Sequence, residues 1–170
     1  MLIKGLIVLI FVAYAYAEYV PTFDCQNITS APQSKDVLLQ VSDCHATDER
    51  CPLYQGRTHS VIVKFKPLKT YSGKIDFRVY GVFEKFSVPY RGRADAYENA
   101  HYTDNGEAVS AVGSMIENRE IKHTSDFAVS KNYPKVSLKV RFVIIERRTK
   151  EMIMCRELPV EIKADPEDSS

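Results

Sequence analysis

Four histidines, His45, His59, His101 and His123, are the side chains of this 170-residue sequence best suited to moving protons near neutral pH. Their spacing assembles no catalytic group. They are scattered over loops and strand ends, and neither G-x-S-x-G nor H-E-x-x-H accompanies them. Ser60 stands beside His59, but neighbouring side chains on a strand point to opposite faces, so the two cannot work as a dyad. Asp48-Glu49 reads as a solvated turn. Arg91, Arg93, Arg147 and Arg148 suit acidic headgroups or an acidic partner, although clusters of this size are commonly plain solvated surface. No catalytic residue, enzyme activity or cofactor is expected.

The remaining reactive residues are Cys25, Cys44, Cys51 and Cys155. Their chemistry depends on compartment, and the first 17 residues supply one. Lys4 gives a positive start, Leu6 to Val12 an apolar stretch, and Ala15-Tyr16-Ala17 a small-x-small cleavage pattern, which together read as an export signal. The apolar run from Gly5 to Ala17 is shorter than the roughly 20 residues a membrane span needs. In an oxidising compartment four cysteines most simply make two disulfides, with three possible connectivities. The short polar loop between Cys44 and Cys51 favours that pair and leaves Cys25 for Cys155. By loop entropy the short closure contributes about 2.5 kcal/mol and the long one about 5 kcal/mol. Zinc needs close thiolate pairs that these spacings lack, so no metal is expected. Asn27-Ile28-Thr29, an N-x-[ST] sequon, predicts a glycan on an exposed loop.

The elements that must position these residues are strands. With 45% hydrophobic and 26% charged residues the chain has globular composition, about one domain in length. Removal of Lys4 with the signal leaves 22 basic against 22 acidic residues, so the electrostatic footprint of a nucleic-acid binder is missing. Eighteen Phe and Tyr among only seven Gly lean toward β structure. Apolar and polar residues alternate through Val61, Val63 and Phe65, through Ile75, Phe77, Val79 and Phe83, and through Val136, Leu138, Val140, Phe142 and Ile144. Val37, Leu39 and Val41 form a shorter strand. Met152, Met154, Leu158, Val160 and Ile162 form the last, with Cys155 on its outer face and Pro159 marking a sheet edge or bulge. The pattern predicts an all-β sandwich of two antiparallel sheets, over residues 18–163. Between Gly106 and Lys122 the rhythm breaks: Val109, Val112, Met115 and Ile116 recur at helical spacing after Asp104 and Asn105 as possible caps. That segment reads as an excursion packed over one end of the sandwich, or as a lid or membrane-touching element beside an opening. Residues 164–170 read as a flexible acidic tail.

Phe23-Asp24-Cys25, Val41-Ser42-Asp43-Cys44, Cys51-Pro52-Leu53 followed by Gly56, His59 to Phe65, Val88-Pro89-Tyr90, Tyr133-Pro134-Lys135-Val136 and Cys155 to Val160 run in one order along the chain. In that order the sequence resembles the MD-2-related lipid-recognition family, nearest its Niemann-Pick type C2 branch of sterol carriers. The resemblance implies an immunoglobulin-like β-sandwich of about seven strands whose two sheets splay to admit a lipid into an apolar cavity between them, and it supports the pairing Cys25–Cys155 and Cys44–Cys51. Two departures stand out. Many relatives carry a third disulfide beyond the position of Val88-Pro89-Tyr90, whereas residues 95–124 contain no Cys, in a region the family places near the pocket mouth. Arg156 also occupies a position where sterol carriers often have an aromatic.

The lining expected for such a site is Val61, Val63, Phe65, Phe77, Val79, Phe83, Leu138, Val140, Phe142 and Met154, with Val88 and Tyr90 toward the mouth. Sheets packed about 10 Å apart would fill that space with these side chains. Sheets spread at one end would leave a hollow of a few hundred Å³. Composition favours the filled core; the resemblance favours the hollow. A sterol of about 28 heavy atoms at roughly 0.3 kcal/mol per atom would gain about 8 kcal/mol there. The function expected is therefore a secreted or lysosomal, monomeric lipid carrier, with a membrane or receptor as possible partner. The alternative is a lipid-presenting accessory or interaction module, which would show its apolar residues as a flat patch on a sheet face rather than around an opening.

Overall fold

The computed structural model describes residues 18–90 and 94–169. The expected export segment, Arg91 and Arg93 lie outside them. Eleven strands are present among the described residues: β1 (Phe23–Asp24), β2 (Ser34–Val41), β3 (Cys51–Tyr54), β4 (Thr58–Pro67), β5 (Ile75–Val82), β6 (Ser87–Pro89), β7 (Ala94–Asp95), β8 (Ala100–Tyr102), β9 (Ile121–Ala128), β10 (Ser137–Glu146) and β11 (Met152–Lys163). Seven have four residues or more, as an immunoglobulin-like sandwich requires; the rest are short edge pieces. One sheet runs β1-β11-β10-β5-β6, with β3 also on β11 and β7 also on β5; the other runs β2-β4-β9-β8. All pairs are antiparallel except β3 on β11, where Cys51 to Tyr54 lie parallel to Val160 to Lys163.

Alternation makes this fold because each sheet has one wet and one buried face. On β4, His59, Val61, Val63 and Phe65 point inward while Ser60, Ile62 and Lys64 do not. The β10 pairings Phe142 with Arg156, Val140 with Leu158 and Ile144 with Met154 fix the inner face of the larger sheet. Here the sequence reading needs a correction. The register shifts between Ile144 and Ile145, so Ile145 pairs with Met152 and the strand's parity flips. Met152 consequently joins the outer cluster of Cys25, Cys155, Val143 and Tyr80 rather than the core. Pro159 falls where β1 stops at Glu157 and β3 begins at Val160, so neither of these strands needs its missing N–H.

Both disulfides form as preferred from the sequence, Cys25–Cys155 and Cys44–Cys51, with Cα separations of 5.8 and 5.0 Å. The outer face of the larger sheet carries two buried carboxylates with basic partners. Glu157 takes Arg141 at 2.6 Å and Lys139 at 3.2 Å. Burial pushes the Asp76 carboxyl upward, but its bonds from Arg147 and Arg78 outweigh that and hold it below the usual range. At the C-terminus Asp165 receives both guanidinium arms of Arg57, which lower its carboxyl to about 2.

The helix expected over 106–122 shrinks to one turn, Val109–Val112, ended by Gly113 with φ 74°. Its N-cap is Ala108 without a side-chain bond, not Asp104 or Asn105. Gly113 and the β-branched residues around it stop propagation, and from Ile121 the chain is a strand. The excursion closes one end of the sandwich, with Val109, Met115 and Tyr102 fully buried. Hydrogen bonds staple it where no cysteine does. Tyr71 and Met115 exchange backbone bonds of 2.9 and 2.8 Å, and the Tyr102 hydroxyl donates to Ser114 O at 2.6 Å and accepts from Ile116 N–H at 3.0 Å. Tyr102→Phe leaves both of these half-buried backbone groups without that partner and is expected to cost about 2 kcal/mol. Hydrogen exchange confined to 102–120 should report it; protection unchanged there would count against the staple.

Candidate functional site

The sheets part at the end opposite that excursion. Past Val79 the inward position on β5 is Gly81, which has no side chain to offer, and across from it the β9 strand ends in Phe127 and Ala128. Between them lies a hollow of about 240 Å³. Val79, Gly81 and Phe83 come from β5 and its turn, Val136, Leu138 and Val140 from β10 and its approach, Leu53 from β3, Ile162 from β11, and Phe127 and Val129 from β9 and its continuation. Val88, Pro89, Tyr90, Tyr133 and Pro134 surround the mouth, where Val88 is 48% and Tyr133 39% exposed. No charged side chain lines it. Such a lining excludes ordered water and accepts hydrocarbon.

Polar bonds hold the walls apart at the mouth. Tyr90 bonds β5 through its N–H to Val79 O at 2.8 Å, while its hydroxyl accepts from Ala128 N–H of the opposite sheet at 2.9 Å. One residue thus spans both sheets and fixes their separation. On the far side of the opening Ile162 N–H donates to Val136 O at 3.0 Å, and Gln55 Nε2 donates to Tyr133 O. The turn between β5 and β6 is closed by Phe83 N–H on Phe86 O and by stacking of the two rings at 4.8 Å.

Of the lining expected from sequence, Val79, Phe83, Val88, Tyr90, Leu138 and Val140 border the hollow. Val61, Val63, Phe65, Phe77, Phe142 and Met154 lie in the filled half of the core instead. The reason is the position along each strand: parity tells inward from outward, but the sheets separate only near the Gly81 end. Leu53, Phe127, Val129, Tyr133, Pro134, Val136 and Ile162, with Tyr80, Gly81 and Pro89, complete the wall and were not on the expected lining. The whole of β9 escaped detection, although Ile121, Phe127 and Val129 keep its period. His123 and Ser125 at inward positions broke the pattern. None of the described residues from 94 to 126 borders the hollow, so the Cys-free excursion is no lid, and the mouth is formed elsewhere than the resemblance implied. Arg156 faces a separate polar cleft with Asp24 and Ser34, and takes no part in the apolar wall.

Two histidines expected on loops or strand ends are buried among the aromatics. His59 stacks on Phe127 at 5.8 Å; its Nε2 accepts from Tyr54 N–H at 3.1 Å, leaving Nδ1 3.6 Å from Asp43 Oδ2. His123 meets Phe77 at 4.7 Å with 1% exposure. Burial pushes the His123 imidazole down to about 4. The Ala96 and Glu98 carbonyls and the Asp95 carboxylate oppose that shift, but neither ring nitrogen has a partner at hydrogen-bond geometry. The unfolded chain takes up this proton near pH 6.5 and the folded chain only near 4, so stability from this group is full above 6.5 and falls with pH down to 4. The loss is about 3 kcal/mol. His123→Leu should remove that part of the acid slope in urea unfolding at pH 7 and 4.5; an unchanged slope would show that the ring is not the cause.

Two sheets held open at one end around an uncharged hollow define a lipid-binding class of β-sandwich. Residues 19–162 match the ML domain family, and the chain belongs to it. Among solved structures it is similar to a Niemann-Pick type C2 protein from Japanese carpenter ant, with TM-score 0.65 and 22% identity over 84% of this chain and 99% of that one. At that identity the likeness concerns the fold. Weaker likenesses are to Spo0M, a sporulation control protein from Bacillus subtilis, with TM-score 0.44 and 12% identity over 80% of this chain and 51% of that one, and to the C-terminal domain of wzt, with TM-score 0.48 and 9% identity over 86% and 81%. Neither carries an argument. No curated protein matches the chain.

Proposed function

We propose that this protein is an exported carrier that takes one lipid of the sterol or fatty-acyl class into the hollow between its sheets and releases it unchanged. The observation that carries this reading is the apolar, uncharged hollow reaching the surface between Val88 and Tyr133. Exposed apolar side chains distinguish a carrier from an adaptor. Of the six large apolar side chains exposed among the described residues, Phe86, Val88 and Tyr133 gather about the mouth, as delivery of a lipid to a membrane or a receptor requires, while Phe23, Leu38 and Leu68 lie elsewhere on the surface. Two disulfides agree with life outside the cell or in the lysosomal or endosomal lumen. Asn27 and Thr29 are both exposed, as a glycan acceptor must be. A single chain encloses the site, so a monomer suffices, and the reading assigns no reaction and no cofactor.

Mass spectrometry of lipids extracted after gentle purification should find close to one lipid per chain. A delipidated chain that takes up neither labelled sterol nor labelled fatty acid at about micromolar concentration would refute the carrier role.

A further inference from the structure

A second cleft, of about 490 Å³ and sharing no residue with the hollow, opens at the side of the sandwich between β1 and β11 of the larger sheet and β2 of the smaller one. Arg156 enters it from β11. Its partner on β10 is the fully buried Phe142, and directly opposed residues of an antiparallel pair share a face, so the guanidinium starts from the inner side of the sheet. Nη1 donates to Asp24 Oδ1, a carboxylate that is 90% exposed and therefore held weakly. Nε is buried without a partner, and Nη2 makes no bond among the described residues. Those two nitrogens form the edge whose parallel N–H groups take one carboxylate. Arg57, Arg119, Arg141 and Arg147 each present that same edge to a carboxylate of this chain. On Arg156 it is free. The Ser34 hydroxyl, which lines the cleft from β2, is likewise buried and unpaired. Buried polar groups without partners cost free energy, and here one from each sheet fronts the same space.

We infer that this cleft is a second binding site, independent of the hollow, for a small monocarboxylate bearing a short hydrocarbon body. The carboxylate accepts from Arg156 Nε–H and Nη2–H, and the Ser34 hydroxyl donates to it. Its carbons lie against Ile28, Pro32 and Val37, which also line the cleft. Arg156 is the one basic residue among the described ones that line it, and Asp24 shares that charge, so a single negative charge is matched whereas a phosphate dianion is not.

An NMR titration of the isotope-labelled, full-length mature chain with butyrate tests this, read from the Arg156 Nε–H signal and the backbone signals of residues 28–34. Butyrate should move these signals saturably with a Kd of about 1 mM, while Gly81 and Val129 in the hollow stay still. Butyramide, equal in size but uncharged, should bind at least about tenfold more weakly. Inorganic phosphate should also bind more weakly than butyrate. Arg156→Lys keeps the charge but removes the fork, and should weaken butyrate about tenfold. Ser34→Ala breaks no side-chain bond of the unliganded fold, so it serves if Arg156→Lys fails to fold, and should weaken butyrate about threefold. No saturable shift at these residues, butyramide or phosphate binding as tightly as butyrate, or full affinity in the variants would each overturn the inference. None of these results bears on lipid uptake by the hollow, so the carrier role stands or falls separately.

Discussion

Replacing Cys25 and Cys155 together by serine lowers the unfolding free energy by about 5 kcal/mol, the loop-closure value for a bond that spans 130 residues. That is a large part of the roughly 5–15 kcal/mol that holds a domain folded. The bond joins β1 to β11 on the outer face of the larger sheet, where Val143, Tyr80 and Ile145 pack around it, so its loss also exposes a small apolar cluster. Removing Cys44–Cys51, which closes a span of seven residues, costs about half as much. Urea unfolding of the two double-serine variants gives the comparison. A short bond whose removal costs as much as the long one would contradict the loop-entropy account.

Phe142→Ala is expected to cost about 4 kcal/mol, near the middle of the range for emptying a buried aromatic site. The ring has no exposure and contacts Phe77 and Phe127 on either side, so the surrounding strands have little means of collapsing into the space. For a chain of this size the melting temperature should fall by about 10 °C. Phe83→Ala, at the half-buried turn beside the hollow, should cost far less, because its ring packs chiefly on the exposed Phe86. Thermal scans of both variants without lipid decide the point. Similar losses in the two would mean that the core is not divided into a filled half and a hollow half.

That division also explains what could be read beforehand. Alternation is a local property, so the inner and outer faces of β4, β5 and β10 were legible from Val61, Phe77 or Phe142 alone. A bulge is not local: nothing in Met152-Ile153-Met154 announces that the register with β10 slips beside it, yet the slip sends Met152 outward. The opening was less legible still. It depends on Gly81 of one sheet and Phe127 of the other bordering the same hollow, a relation between residues far apart in the chain. β9 was hidden because His123 reads as polar, although here it sits against Phe77 as part of the core. The excursion over 106–122 looked helical because four apolar residues shared a spacing, whereas tertiary bonds from Tyr71 and Tyr102 override it.

The bridge made by Tyr90 has a mechanical consequence. Its hydroxyl grips the end of β9 while its own backbone stays with β5, so any widening of the mouth beyond the length of that side chain must first break the bond to Ala128. A guest thin enough to slip beneath the arch would leave it intact, and a bulkier one would have to unhook it first.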